Sequence, residues 1–218
     1  MSEPTEPTAP AEAAQPLDTR VLARTVEHLA ERYAGVFPPE LVERVVFESY
    51  ATLARTARVR TYLASMAGHF ADNRLAALAH AKDRDASEVV QVLFVGVHDT
   101  GPAQIAAALL AHYAQDTVEV RSAGVLPGPA VDPRALEALA ARGVEAGQVY
   151  PKPVTDDVVR AADRVITFGS PDAVAVYEHT VHQHWDVADL QDAGPEQVEA
   201  VVQELDDRVR ALWAELQG

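Results

Sequence analysis

Apolar positions recur at the three- and four-residue spacing of amphipathic helices between residues 17 and 82. From residue 88 onward, short β-branched runs alternate with helical stretches instead. In the first stretch Val21, Leu22, Val26, Leu29, Ala30 and Tyr33 fall on one face, behind Asp18 or Thr19 as the predicted N-cap. Gly35 and Pro38-Pro39 break that helix. Pro39 opens a second one, which presents Leu41, Val45, Val46, Tyr50 and Leu53. A third helix, from about Val59, presents Leu63, Ala67, Phe70, Leu75 and Leu78. Together they predict a three-helix unit over 17–82. A unit of ~60 residues buries only about 60% of its chain surface on folding, so docking or self-association would help it.

Residues Asp83 to Ser87 read as a polar joint. The pattern beyond it predicts strands at 89–95, 117–121, 164–168 and about 181–185. Helices are predicted at 103–114, 133–142, 155–161, 171–178 and 195–216. Such alternation over 88–218 is the mark of an α/β domain, a four-stranded parallel sheet flanked by helices. Its ligand site belongs beyond the carboxyl ends of the strands, where the 96–103 loop falls. Residues 1–16 are rich in Pro, Ala and Glu without periodicity, and read as a disordered tail.

Composition narrows the function classes. No run of eighteen apolar residues occurs, and no basic segment precedes an apolar one at the N-terminus. A membrane span and a secretory signal are therefore not expected, and the cytoplasm is the default location. There is no cysteine, which excludes disulfides, thiolate metal sites and a cysteine nucleophile. Net charge is −15, and residues 81–218 hold 23 of the 33 acids but 10 of the 18 Lys and Arg. A surface of that sign repels nucleic acid.

The candidate chemistry lies at residues 92–104. The β-branched run ending at Val95 meets a loop of small residues, Gly96, Val97, His98, Asp99, Thr100, Gly101, Pro102 and Ala103, and an Ala-rich helix follows. Unpaired N–H groups at such a helix N-terminus attract anions. Chemistry there needs a nucleophile at the start of the loop and a cation at its end. This chain has glycine and proline.

From Val89 to about Gly218 the chain resembles the low-molecular-weight protein tyrosine phosphatases and, more closely, the arsenate reductases of the same fold. The family loop reads Cys-x-x-Asn-x-x-Arg-Ser, and in the reductases it often begins Cys-Val-His-Asn. Gly96, Asp99, Pro102 and Ala103 replace the Cys, Asn, Arg and Ser, while Val97, His98 and Gly101 follow the reductase version. Gln104 to Tyr113, Val118 to Gly124 and Pro151-Lys152-Pro153 match as well. Residues 17–82 resemble the three-helix module ahead of some actinobacterial-type arsenate reductases, which implies a homodimer through the helices. A simple helical appendage is the alternative.

The resemblance assigns the residues as follows. Gly96 offers no atom for a covalent intermediate. Thr100 has a hydroxyl, but at that loop position it points away from the centre. Pro102 removes both the cation that would fork onto an oxyanion and one backbone N–H. Asp99 would repel an anion about 5 Å away by on the order of 3 kcal/mol, or else act as a local Asx-type cap of the loop. Trp185-Asp186-Val187-Ala188-Asp189 resembles the family's Trp-Asp-x-Pro-Asp-Pro, which aligns Asp189 with the general acid. Thr167-Phe168-Gly169-Ser170 and Asp172-Ala173-Val174 stand where thioredoxin-coupled reductases carry resolving cysteines. His98 is expected to pack within the loop. His182 and His184, two apart on a strand and near His179, are weak zinc candidates against a reading as solvated histidines.

The expectation is a non-catalytic relative with no cofactor, acting as a binding, regulatory or self-association module with a protein partner or a weakly held small oxyanion. Two alternatives stay open: an enzyme in which Asp99, Asp189 or a metal activates water, and an oxyanion sensor using the residual loop.

Overall fold

The computed structural model describes residues 16–55, 57, 60–83, 89–115, 117–147, 149–172 and 174–218. Residues 1–15, most of the expected tail, and 84–88, most of the expected joint, lie outside these. Helix α1 (Pro16–Arg32) already includes Pro16. Asp18 therefore sits in its first turn rather than at the N-cap, where its carboxylate faces the positive helix end and accepts a 2.7 Å hydrogen bond from the Tyr50 hydroxyl. Helix α2 (Pro39–Ala54) begins behind an extended Pro38, with Pro39 in the first turn where its missing N–H costs nothing. Helix α3 (Leu63–Lys82) starts at Leu63. Leu22, Val46, Leu63, Phe70 and Leu75 join in one buried cluster between the three helices.

Strand β1 (Val90–Gly96), helix α4 (Pro102–Ala114) and strand β2 (Val118–Gly124) follow, then α5 (Pro133–Ala141), α6 (Asp156–Ala161), β3 (Arg164–Thr167), β4 (Val181–His184) and α7 (Pro195–Gln217). The strands form one parallel sheet in the order β2-β1-β3-β4. Strand β2 runs beyond the predicted 117–121, because Leu93 to Gly96 pair residue for residue with Arg121 to Gly124. The helix expected over 171–178 does not form; residues 171–172 and 174–178 are turns and irregular chain. That segment half-buries Val174 and Tyr177 and leaves Val176 71% exposed, too little packing to offset the nucleation cost of a two-turn helix.

Period-two alternation along β1 splits the core. Val92 and Phe94 enter a cluster with Ile105, Leu109, Ile166, Trp185 and Leu205, beneath α4 and α7. Leu93 and Val95 enter another with Val158, Val159, Val165 and Ala77. Ala77 belongs to α3, so the helical module covers part of the second sheet face that the short α6 leaves open. An ion pair fastens the contact: Arg74 Nε lies 2.8 Å from Asp157 Oδ2 on α6. No helix is long and apolar enough to cross a membrane among the described residues.

Candidate functional site

The chain leaves β1 through α4 to reach β2, then passes α5 and α6 to reach β3 on the other side of β1. Consecutive crossovers thus diverge at the end of β1, the topological switch point where α/β sheets open a crevice. The 96–103 loop fills it. Gly101 is the N-cap of α4 and Pro102 lies in its first turn. Carbonyls of Gly96, Val97, His98 and Thr100 accept hydrogen bonds of 2.8–3.1 Å from the amides of Val125, Leu126, Gly128 and Asp132. The loop is therefore pinned along its outer side. Gly124 is required by close approach: a Cβ there would lie 2.9 Å from the backbone of His98 and Asp99.

Asp99 adopts φ of 53°, a left-handed conformation that aspartate tolerates better than most residues. Its side chain is fully buried. Oδ2 accepts 2.9 Å from the Lys152 backbone amide and lies 3.7 Å from Lys152 Nζ. The expected local Asx-type cap is thus corrected: Asp99 caps a segment 53 residues away. Its own loop is held through carbonyls, so the carboxylate is free to reach the Pro151–Pro153 chain packed behind it. Burial pushes the Asp99 carboxyl up to about 6, with the Lys152 charge and amide working against that rise. Burial lowers the Lys152 ammonium, and Asp99 opposes the change. Lys152 Nζ also donates to the Tyr150 carbonyl at 3.0 Å and Ser122 Oγ at 3.3 Å. Gln104 Nε2 donates to the same Tyr150 carbonyl at 3.1 Å.

The concave side of the loop encloses about 60 Å³, bounded by residues 96–103 with Phe168, Gly169, Val187 and Asp189. No Lys or Arg is among those lining residues. His98 Nδ1 lies 2.9 Å from the Leu126 carbonyl, which only accepts, so Nδ1 carries a proton. Thr100 turns its methyl toward Gly128, where an added Cβ would lie 2.5 Å from Cγ2. Asp189 reaches the cavity rim, exposed, and accepts 3.3 Å from the Gln191 amide. At Gly96 a Cβ would meet Ala103 Cβ at 3.3 Å, so a side chain there is tight but not barred.

The histidines stay apart from the loop. His182 on β4 is partly buried with Nε2 unpartnered among the described residues, and desolvation lowers its pKa. His184 Nδ1 meets Thr167 Oγ1 at 3.1 Å, and His179 Nε2 meets the Arg160 carbonyl at 3.0 Å. No group of three or more His, Cys, Asp or Glu side chains comes together for a metal among the described residues. Sequence reasoning missed the support of the loop by Lys152, Tyr150, Ser122 and Gln104. Pro151-Lys152-Pro153 stood out as a motif, but nothing local shows that its lysine is buried against Asp99.

Residues 91–218 match the family model of the low molecular weight phosphotyrosine protein phosphatases. The chain belongs to that family. Residues 22–79 match the N-terminal domain model of protein-tyrosine-phosphatase-like proteins. Among solved structures, the thioredoxin-dependent arsenate reductase of Corynebacterium glutamicum is 46% identical, with a TM-score of 0.83 over 91% of this chain and 98% of that one. It matches across both the helical and α/β regions. A tyrosine phosphatase of Erwinia amylovora, 20% identical with a TM-score of 0.50, covers 56% of this chain and 89% of its own length, a likeness of fold alone. An arginine phosphatase at 24% identity and TM-score 0.53 covers 59% of this chain and 96% of its own.

Proposed function

We propose that this chain is a non-catalytic member of its family that acts as a binding or regulatory protein. The observation that carries the reading is the composition of the loop cavity. Gly96 opens it without a nucleophile, Pro102 closes it without a cation, and Asp189 brings a carboxylate to its rim. A thioredoxin-dependent reduction like that of the Corynebacterium relative needs thiols to carry electrons, and this chain has no cysteine. Phosphoryl transfer through a covalent intermediate needs an attacking side chain, and Gly96, where the family loop has its cysteine, offers none. At about 60 Å³ the cavity falls well below the roughly 300–1,000 Å³ of sites that enclose organic ligands.

Turnover of an aryl phosphate, and of arsenate with thioredoxin, tests the reading on purified protein. No rate above the buffer control is expected. A rate that Asp189→Ala abolishes would overturn the proposal, because it would assign catalysis to this loop. The persistence of the loop's shape favours a second reading, a weak oxyanion sensor. Thermal shift with sulfate, phosphate, arsenate and arsenite separates it, since an ion held by the folded state raises the midpoint.

A further inference from the structure

A groove of about 520 Å³ lies where the helical module meets the α/β domain. Leu53, Leu63 and Met66 form its wall on the helical side, and Pro129, Val131 and Tyr150 line the side formed by the α/β domain. No charged residue is among those lining residues. Tyr62 stands in it 71% exposed, and Pro129 and Ala130 are exposed as well. Contiguous apolar surface left open to water marks a place where another segment of chain docks.

The chain itself carries a segment that fits. Pro4, Pro7 and Pro10 recur at intervals of three, and Glu3 and Glu6 repeat at the same interval within Glu-Pro-Thr-Glu-Pro-Thr. Three residues make one turn of a polyproline II helix, so in that helix the prolines share one edge and the glutamates the next. Apolar grooves lined by aromatic rings take such an edge because the helix is formed before it docks, and little chain entropy is lost. The charges complement one another too. Residues 55–62 join α2 to α3 and carry Arg55, Arg58 and Arg60 without an acid, on a chain of net charge −15. Ala57 and Tyr62 of this connection line the groove, so the arginines belong to the stretch of chain that borders it.

The starting point of the segment also agrees. In the first turn of α1 the Asp18 carboxylate accepts a 2.7 Å hydrogen bond from Tyr50, one turn before Leu53 on α2. Helix α1 therefore begins beside the end of α2 that opens the groove. Six residues lead from Pro10 to Pro16, and at ~3.1 Å each they span roughly 19 Å. That is several times the ~5.4 Å rise of one helical turn.

We propose that residues 3–10 dock in this groove as a polyproline II strap. Pro4, Pro7 and Pro10 pack against Tyr62, Leu63 and Pro129, while Glu3 and Glu6 pair with the arginines of the 55–60 stretch. The strap touches both the helical module and the α/β domain, and so clamps one to the other. It is independent of the 96–103 loop, and its failure would leave the reading of the loop unchanged.

The chain has no cysteine, so an introduced pair reports proximity without background. Thr8→Cys is combined with Ala130→Cys in the groove, or with Ala51→Cys, exposed on α2 beside Tyr50 but outside the groove. Equilibration of the full chain in glutathione buffer, read by intact mass, gives the effective concentration of each pair. The groove pair is expected about tenfold or more above the Ala51 pair. Three sets of substitutions should lower that excess: Pro4→Gly, Pro7→Gly and Pro10→Gly together; Glu3→Lys with Glu6→Lys; and Tyr62→Ala at its exposed position. Equal values for the two pairs overturn the proposal, as does an excess left unchanged by any one of the three sets. A disulfide that forms only between chains and rises with protein concentration also overturns it, and assigns the groove to the segment of a second copy.

Discussion

Asp99 shows how one substitution redirects a loop. A carboxylate stands where the family keeps an amide, and the fold answers by burying it against Lys152 rather than exposing it to an incoming anion. Burial raises its pKa to about 6, above the ordinary carboxylate value, so the folded state favours the proton. The stability this group contributes is complete below about pH 4 and is lost as the pH rises through about 6. Asp99→Asn cannot lose a proton. Urea titrations at pH 4.5 and 7.5 should therefore show a smaller decline toward neutral pH in the variant than in the parent; identical declines would refute the assignment. Gly124 is a second residue-scale constraint. Gly124→Ala places a Cβ 2.9 Å from the loop backbone, and overpacking of this kind costs about 1–3 kcal/mol by equilibrium unfolding.

Among the elements, the β1-loop-α4 unit keeps its frame while its chemistry has been exchanged. Four carbonyls are pinned by the 125–132 chain, and Gly96 has room for a side chain at the expense of a few tenths of an ångström. Gly96→Cys combined with Asp99→Asn, Pro102→Arg and Ala103→Ser should therefore gain phosphate binding, read by a phosphate-dependent rise in melting midpoint that the parent lacks. A folded variant without that rise would mean that the loop backbone itself has diverged. The contact of α3 with α6 depends on the Arg74–Asp157 pair, whose side chains are 13% and 10% exposed. Arg74→Ala leaves Asp157 buried and unpaired and removes a 3.2 Å hydrogen bond to the fully buried Ser49. A loss of about 3 kcal/mol in urea unfolding is expected.

Across the whole molecule, the helical module and the sheet share a core. Ala77 of α3 lies fully buried in the same cluster as Leu93 and Val95 of β1. A sixty-residue helical unit with a marginal core of its own gains stability there, and the sheet gains cover that the six-residue α6 cannot give. Ala77→Asp sets an unpaired carboxylate in this shared region. The two parts should then lose stability together by several kcal/mol, in a single urea transition followed by tryptophan fluorescence and by circular dichroism. Separate transitions by the two probes would mean that the module and the sheet fold as independent units.

The sequence alone determined the order and type of nearly every element, the parallel α/β class, the family, and the loss of nucleophile and cation at Gly96 and Pro102. Those features are written locally: in period-two and 3.6-residue patterns, in turn residues, and in a loop of eight consecutive positions. It misread the 171–178 segment, whose composition suits a helix that has too little surface to bury. Only the tertiary structure decided what Asp99 touches, that Lys152 is its buried counter-charge, and that α3 and the 128–131 chain enclose a groove. The physical reason is range. Burial and pairing are set where distant segments close on one another, and they change the behaviour of a side chain whose own neighbours in sequence carry no trace of the change.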